Sequence, residues 1–159
     1  MNPGLNPGRH LATRLRWRNV PLPEANLAAI VLAALLHLAF PRRLLRARWI
    51  GLVLGWPLVL AGAGLALQAA SEAGEMDVSA PDKLLTTGAY AASRNPMYVG
   101  WGLVQAGISL ITNTLWPLVC LPLSMAYTHF ADIRKEEQFL KREFGDEYLE
   151  YMDRVPRYL

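Results

Sequence analysis

Apolar residues are concentrated in three long blocks that contain no Lys, Arg, Asp or Glu. These blocks cover residues 25–40, 49–71 and 95–131. An α-helix rises about 1.5 Å per residue, so about 20 residues are needed to cross the roughly 30 Å core of a bilayer. The first block is slightly short for one span, the second fits one, and the third fits a hairpin of two. The pattern predicts an all-α integral membrane protein with about four transmembrane helices.

Proline and polar residues set the bounds of these spans, because Pro41 follows the first and Thr112, Asn113 and Thr114 separate the last two. The predicted spans cover approximately these residues: 25–40, 49–70, 98–111 and 115–131. The chain is thereby divided into an N-terminal lead (1–23), a first helical pair (24–70) and a C-terminal half (71–159). The C-terminal half holds the longest polar connection, the second helical pair and a charged tail, and is predicted to carry the catalytic chemistry.

The segments at both ends of the chain are polar. Residues 1–23 are rich in Pro, Gly and Arg and are predicted to form a flexible or interfacial lead, with a short amphipathic helix over 11–18. The tail from Asp132 is highly charged and is predicted to form an amphipathic helix that stops at Gly145. A second short helix is predicted over 146–152.

Composition excludes several classes of protein. The chain is 53% hydrophobic and 18% charged, and its net charge of +3 comes from Arg residues beside the spans rather than from a separate basic face. We therefore expect the lipid bilayer, and no nucleic acid, as a partner. Its single cysteine, Cys120, rules out a disulfide framework, and His37 and His129 have no second ligand at metal spacing, so no metal site is predicted. Too little chain remains for a soluble nucleotide-binding sheet domain, so helices and loops must hold any cofactor.

Four spans place the polar connection and both termini on one side of the membrane. The loop on the other side holds four of the 16 Lys and Arg residues, namely Arg42, Arg43, Arg46 and Arg48. Because this short loop is the denser in positive charge, the positive-inside rule gives a mixed answer on orientation.

The first chemically dense segment surrounds Arg94, where the chain re-enters the membrane. Arg94 stands beside Asn95 and Tyr98. The structural interpretation is an interfacial anchor, in which Arg snorkels and Tyr lies in the aromatic belt. In the functional interpretation, the Arg94 guanidinium binds a carboxylate through two parallel hydrogen bonds, and Asn95 and Tyr98 are directional hydrogen-bond donors.

A second segment places Glu136 and Glu137 a few residues after the last span. This is either the solvated face of an amphipathic helix or a carboxylate pair that holds a cationic or hydroxyl-bearing ligand. On the second span, Gly51 and Gly55 indicate close helix packing. Gly62 and Gly64 indicate either the same packing or a cofactor lying against bare backbone.

Five motifs occur in this order: Thr86–Tyr90, Arg94–Gly100, Glu136–Glu137, Phe144–Tyr151 and Arg154–Pro156. In order and spacing they resemble the isoprenylcysteine carboxyl methyltransferase family and its phospholipid methyltransferase relatives. The likeness covers roughly residues 62–156. It implies an all-helical membrane enzyme that encloses S-adenosylmethionine between the C-terminal spans and the tail.

The resemblance also implies which residues contact the cofactor. The expected cofactor-binding residues are Gly62, Gly64, Asn95, Pro96, Tyr98, Glu136 and Glu137. Arg94 is expected to orient a carboxylate, and Glu137 to take a proton from an amine acceptor. Because S-adenosylmethionine is made in the cytosol, the tail side is expected to face the cytoplasm, in the inner membrane if the source is bacterial.

The resemblance leaves the methyl acceptor open. Asn95 stands where the carboxyl methyltransferases usually have His, and Asn95–Tyr98 matches the phospholipid branch, whereas the tail matches the carboxyl branch. We expect a small amphiphilic or lipid-like acceptor, with a carboxylate oxygen favoured over an amine nitrogen. Two other classes of protein remain as alternatives to a methyltransferase: a nicotinamide-dependent membrane reductase and a non-catalytic four-span protein.

Overall fold

A computed structural model of the chain describes residues 24–74, 81 and 83–159. The α-helices are α1 (Glu24–Ala39), α2 (Arg48–Ala73), α3 (Pro96–Thr112), α4 (Leu115–Tyr127) and α5 (Arg134–Arg154). A 3₁₀ helix (Gly88–Ala91) precedes α3, and a π-helical segment (Thr128–Ile133) joins α4 to α5. Over these residues the chain forms no β-strand, which confirms the all-α class. The predicted lead over 1–23, with its helix over 11–18, lies outside the described residues.

The helix bounds agree closely with the apolar blocks. Helices α1 and α2 begin one residue before the predicted starts, and α3 begins at Pro96, which takes the first helical position that proline favours. Gly145 adopts φ +50° and breaks α5, as predicted, and the helix resumes after it. Tyr127 ends the α-helical part of the predicted fourth span, because the chain then widens into the π-helical segment.

The four apolar helices form two antiparallel pairs, in which α1 packs against α4 and α2 against α3. The loop after α1 and the turn between α3 and α4 lie at the same end. Asn113, in the left-handed conformation, donates its Nδ2 to the Leu45 carbonyl at 3.0 Å and accepts the Leu45 N–H at 2.7 Å. Consequently the polar connection, the start of α3 and the charged tail meet at the opposite end.

Glycines bring α2 and α3 into backbone contact. A Cβ added to Gly51, Gly55 or Gly62 on α2 would collide with carbonyl oxygens of α3, and one added to Gly100 or Gly107 would collide with carbonyls of α2. The packing role predicted for Gly51 and Gly55 is confirmed. Close approach of this kind is typical of helix pairs in membranes.

A buried polar cluster ties the two helix pairs together. Asn26 donates to Gln105 Oε1 at 2.8 Å, and Gln105 Nε2 donates to the Pro117 carbonyl at 3.0 Å. Ser124 also lies against Gln105, which is fully buried. Satisfied side-chain bonds of this kind fix the relative positions of α1, α3 and α4.

Among the described residues, α2 is the one helix that is both long and apolar enough to cross a membrane, and α1 is apolar but has 16 residues. Helices α3 and α4 form the predicted hairpin, yet they have 17 and 13 residues and each falls short of the roughly 20 that a span needs. The outward faces of the helices are apolar and exposed, as at Val31, Leu35, Leu38, Val53, Leu60 and Leu123. Four transmembrane helices are therefore not established by length alone.

Candidate active site

The connection that leads into α3 is held to the end of α2 by one carboxylate. Both oxygens of Glu72 accept the backbone N–H of Ala89, at 3.0 and 2.9 Å. Gly88 adopts φ +59°, and a Cβ at this position would collide with the Glu72 carboxylate. A glycine is therefore required at the turn that positions Tyr90 and Arg94.

The C-terminal residues fold back onto the start of α3. The backbone N–H of Arg94 donates to the Pro156 carbonyl at 2.9 Å. The carbonyl of Arg157 accepts Ser93 Oγ at 3.2 Å and Asn95 Nδ2 at 3.1 Å. Asn95 therefore anchors the tail with the amide group that was predicted to contact a cofactor.

The break at Gly145 directs the end of α5 toward the polar connection. Tyr148 and Tyr151 are buried there with Val155 and pack against Leu84. The Tyr151 hydroxyl donates to the Tyr90 carbonyl at 2.7 Å. Burial and the neighbouring Tyr148 raise the pKa of Tyr151 to about 12, so it remains a protonated donor.

Glu137 lies between two arginines. Its carboxylate accepts Arg157 Nε and Nη2, both at 2.7 Å, and Arg94 Nη1 at 2.9 Å. The side chains of Arg94 and Glu137 are each 9% exposed. Burial alone would raise the pKa of Glu137, yet the hydrogen bonds and charge of Arg157, together with the charge of Arg94, hold it below its ordinary value. Glu137 is thus an ionised carboxylate with its oxygens already engaged.

Glu136 has a different environment from its neighbour. It forms no hydrogen bond or ion pair with any residue that the structure describes. Solvent reaches its side chain through cavities, although protein surrounds it on the other sides. The side chain is exposed overall, yet the protein packed around its carboxylate, reinforced by the charges of Asp132 and Glu137, raises the pKa of Glu136 to about 7. Glu136 is therefore the more basic of the two adjacent carboxylates.

Two adjoining cavities share Tyr90, Arg94 and Glu136 as lining residues. The larger has a volume of about 190 Å³ and is also lined by Asn95, Pro96, Met97 and Tyr98. The smaller, of about 60 Å³, is bounded by the connection and the tail through Pro81, Lys83, Leu84, Leu85, Leu140, Tyr148 and Tyr151. The buried Nε of Arg94 has no hydrogen-bond partner in the described part of the chain.

The structure brings most of the predicted site residues together. The larger cavity is lined by Arg94, Asn95, Pro96, Tyr98 and Glu136. Glu137 lies next to them and holds Arg94 in place. These positions fit a binding site, while the individual catalytic and cofactor roles remain predictions.

The two predicted glycines do not line either cavity. Gly62 packs against the backbone of Gly100, so its geometry is that of a helix crossing. Gly64 has no neighbouring atom within 4 Å of an added Cβ and faces open space. The cofactor role assigned to this pair stays a prediction.

Sequence reasoning did not assign a role to three tyrosines of the site, Tyr90, Tyr148 and Tyr151. A signal was present, because all three belong to the motifs that carry the family resemblance, and Tyr148 and Tyr151 are three residues apart on one helical face. Arg157, which follows those motifs in the chain, also belongs to the site because it pairs with Glu137.

Comparison with known proteins places this site in context. Protein-S-isoprenylcysteine O-methyltransferase of Homo sapiens is 40% identical over 80 residues, which cover 46% of this chain and 26% of that protein. The Arabidopsis thaliana protein-S-isoprenylcysteine O-methyltransferase B is 35% identical over 81 residues, covering 46% of this chain and 38% of its own length. Cobalt-zinc-cadmium resistance protein CzcN of Cupriavidus metallidurans is 36% identical over 75 residues, 47% of this chain and 34% of that protein. The chain therefore spans well under half the length of these relatives.

A family profile described as phospholipid methyltransferase matches residues 50–147, more than half of the chain. The matched segment contains Tyr90, Arg94, Glu136 and Glu137, whereas the tail residues that close the site follow it. The resemblance drawn from the motifs is confirmed, and the chain belongs to the phospholipid methyltransferase family.

Proposed function

We propose that this protein is a membrane-embedded methyltransferase that uses S-adenosylmethionine and methylates a small amphiphilic or lipid-like acceptor. The observation that carries the proposal is the pair of cavities where Tyr90, Arg94 and Glu136 meet. These residues belong to the segment that matches the family, and they combine a guanidinium N–H and a carboxylate that have no partner among the described residues.

A membrane location is supported by the outer faces of the helices. Rows of exposed large apolar residues cover α1, α2 and α4, and a soluble monomer rarely exposes so continuous an apolar surface. We therefore propose that all four apolar helices lie in the bilayer, with α3 and α4 forming a short hairpin. The cavities would open at the cytoplasmic surface, where S-adenosylmethionine is available, in the inner membrane if the source is bacterial.

The residues around the cavities fit the polar part of S-adenosylmethionine. Its carboxylate would accept a hydrogen bond from Arg94 Nε, which has no partner among the described residues. Its ammonium group would lie near the Glu136 carboxylate, with Tyr98 and Asn95 lining the same cavity. When bound, the cofactor supplies a methyl group that its sulfonium has already activated.

Methyl transfer from a sulfonium needs in-line positioning of the acceptor and exclusion of water more than it needs acid–base groups. The tail contributes to positioning and to the exclusion of water, because the buried side chains of Tyr148 and Tyr151 form one wall of the smaller cavity. The ion pairs of Glu137 hold Arg94 in a fixed position beside both cavities. We assign Glu137 to positioning and Glu136 to ligand contact.

A carboxylate oxygen remains the favoured acceptor, because it can attack without losing a proton. An amine acceptor is the second candidate, and it must lose its proton before or during transfer. Glu136, with its pKa raised to about 7, is suited to accept that proton at neutral pH, whereas Glu137 is not. The raised pKa of Glu136 is the specific observation that keeps the amine class in the proposal.

The proposal is tested by methyl transfer in lipid nanodiscs, with S-adenosylmethionine labelled in its methyl group and a set of lipid acids and amino-lipids as acceptors. Label lost on mild alkaline treatment identifies an ester, and label that persists identifies an N-methyl group. Glu136→Gln is expected to reduce transfer at least about tenfold. Glu143→Gln, an exposed change on the same helix, should leave it intact. Absence of transfer by folded protein to every acceptor would count against the proposal.

A further inference from the structure

A rigid basic loop lies at the end of the helices opposite the cavities described above. Besides the two bonds between Asn113 and Leu45, the Leu115 N–H donates to the Arg42 carbonyl at 3.2 Å. Trp116 Nε1 donates to the Phe40 carbonyl at 2.7 Å. These contacts fix the backbone between α1 and α2, so the Cα positions of the arginines that it carries are defined.

This loop borders a cavity of about 480 Å³. The cavity is lined by His37, Pro41, Arg43, Arg46, Arg48, Thr112 and Asn113. No Asp or Glu is among these lining residues, and none of the three arginines forms an ion pair within the described part of the chain. Three guanidinium groups around one cavity repel one another unless an anion joins them.

His37 is a half-buried member of the same cavity lining. Its Nδ1 atom is buried and has no hydrogen-bond partner among the described residues. Helix α2 begins in the same place, and its N-terminal N–H groups have no side-chain cap. Unpaired N–H groups at a helix start favour an anion.

We propose that this cavity binds a phosphate group through Arg43, Arg46, Arg48 and His37. Guanidinium forks match the oxygens of phosphate in both charge and geometry. The group would come from a phospholipid headgroup or from free phosphate, which share this chemistry. Exposed Leu38, Phe40 and Trp49 are chain neighbours of lining residues and are of types found where a protein meets the membrane interface, which favours the headgroup. The site is separate from the proposed methyl-transfer site and does not depend on that function.

The loop offers a matched pair of variants for a test. Arg46→Gln removes a lining charge, and Arg42→Gln removes the same charge from a neighbour that is equally exposed but does not line the cavity. Binding of phosphatidylglycerol to the detergent-solubilised full chain is measured by native mass spectrometry and by thermal stabilisation at constant ionic strength. Constant ionic strength is needed because salt screens exposed charges. Inorganic phosphate, with chloride as its control, is titrated in parallel.

Arg46→Gln is expected to weaken phosphatidylglycerol binding about tenfold, while Arg42→Gln keeps the wild-type affinity. Arg43→Gln should reproduce the loss and serves if Arg46→Gln does not fold. If inorganic phosphate does not displace bound phosphatidylglycerol, the site is specific for a lipid headgroup. If inorganic phosphate displaces it, the site also binds free phosphate. Equal affinity of both variants for either ligand would overturn the proposal, because binding would then follow net charge alone.

Discussion

Arg157 and Glu137 form a forked ion pair in which two guanidinium nitrogens each lie 2.7 Å from a carboxylate oxygen. The pair joins the last residues of the chain to the first turn of α5, and Arg94 Nη1 completes it at 2.9 Å. One carboxylate thus fixes the tail, α5 and the residue before α3 relative to one another. The walls of both cavities depend on this arrangement.

Glu137→Gln should lower the free energy of unfolding by about 2 kcal/mol, because it leaves Arg94 without its charged partner in a largely buried position. The solvent exposure of Arg157 limits the loss. Chemical unfolding in detergent measures it. Glu143→Gln, an exposed change on the same helix, is the control. Equal effects of the two changes would contradict the role assigned to Glu137.

Glu136 should make stability fall as pH rises through a defined window. Its pKa is raised from 4.5 to about 7 in the folded state, so the folded protein binds more protons than the unfolded chain between these values. Its contribution is then most favourable below pH 4.5 and is lost as pH rises to about 7. Glu137, whose pKa is lowered in the folded state, contributes stability that is instead lost as pH falls below its ordinary pKa.

The measurement for Glu136 is the melting temperature of wild type and Glu136→Gln from about pH 5 to about pH 8. The melting temperature of Glu136→Gln should not show the decline with pH that Glu136 causes in the wild type. The melting temperature of the variant should therefore rise relative to that of the wild type as pH increases. Glu143→Gln, an exposed change on the same helix that removes the same negative charge, controls for altered net charge. Parallel curves for wild type and Glu136→Gln would show that the carboxyl group is not perturbed.

Gly88→Ala should destabilise the connection more than Gly145→Ala does. Both glycines have positive φ, which costs a residue with a Cβ about 1–2 kcal/mol. At Gly88 the added methyl group also collides with the Glu72 carboxylate, whereas at Gly145 it meets no atom within 4 Å. Unfolding free energies of the two variants are compared directly. A smaller effect at Gly88 would refute the described turn.

Gly62→Ala and Gly64→Ala separate packing from cofactor contact. The first should destabilise the protein by about 1–3 kcal/mol, because it pushes α2 away from Gly100. The second should leave stability nearly unchanged, since open space surrounds that position. Thermal unfolding gives both values, and S-adenosylhomocysteine titration shows whether Gly64 contributes to binding. Equal stability of both variants would contradict the helix crossing at Gly62.

The helices were predictable because their signals are local. Pro41 and Asn113 interrupt the apolar blocks at points where helices end, and Gly145 breaks α5 as its sequence position indicated. The number of spans was less secure, because α3 and α4 are short and the π-helical segment extends the second of them.

The division of roles within the site was not predictable from sequence. Adjacent residues on a helix point about 100° apart, so one of Glu136 and Glu137 faces the cavities while the other faces Arg157. Which one does so depends on how α5 packs against the start of α3, and that packing joins residues more than 40 positions apart. Tyr148 and Tyr151 acquire their place in the site through the same long-range packing.

The central claim, that the paired cavities bind S-adenosylmethionine, is tested most directly by thermal stabilisation of the detergent-solubilised protein with S-adenosylhomocysteine, beside NADPH. A ligand at about 100 times its dissociation constant adds about 2.7 kcal/mol to the stability of the folded state. We expect S-adenosylhomocysteine alone to stabilise the wild type, and Glu136→Gln to weaken that effect while Glu143→Gln does not. Stabilisation by NADPH alone, or by neither ligand, would contradict the account.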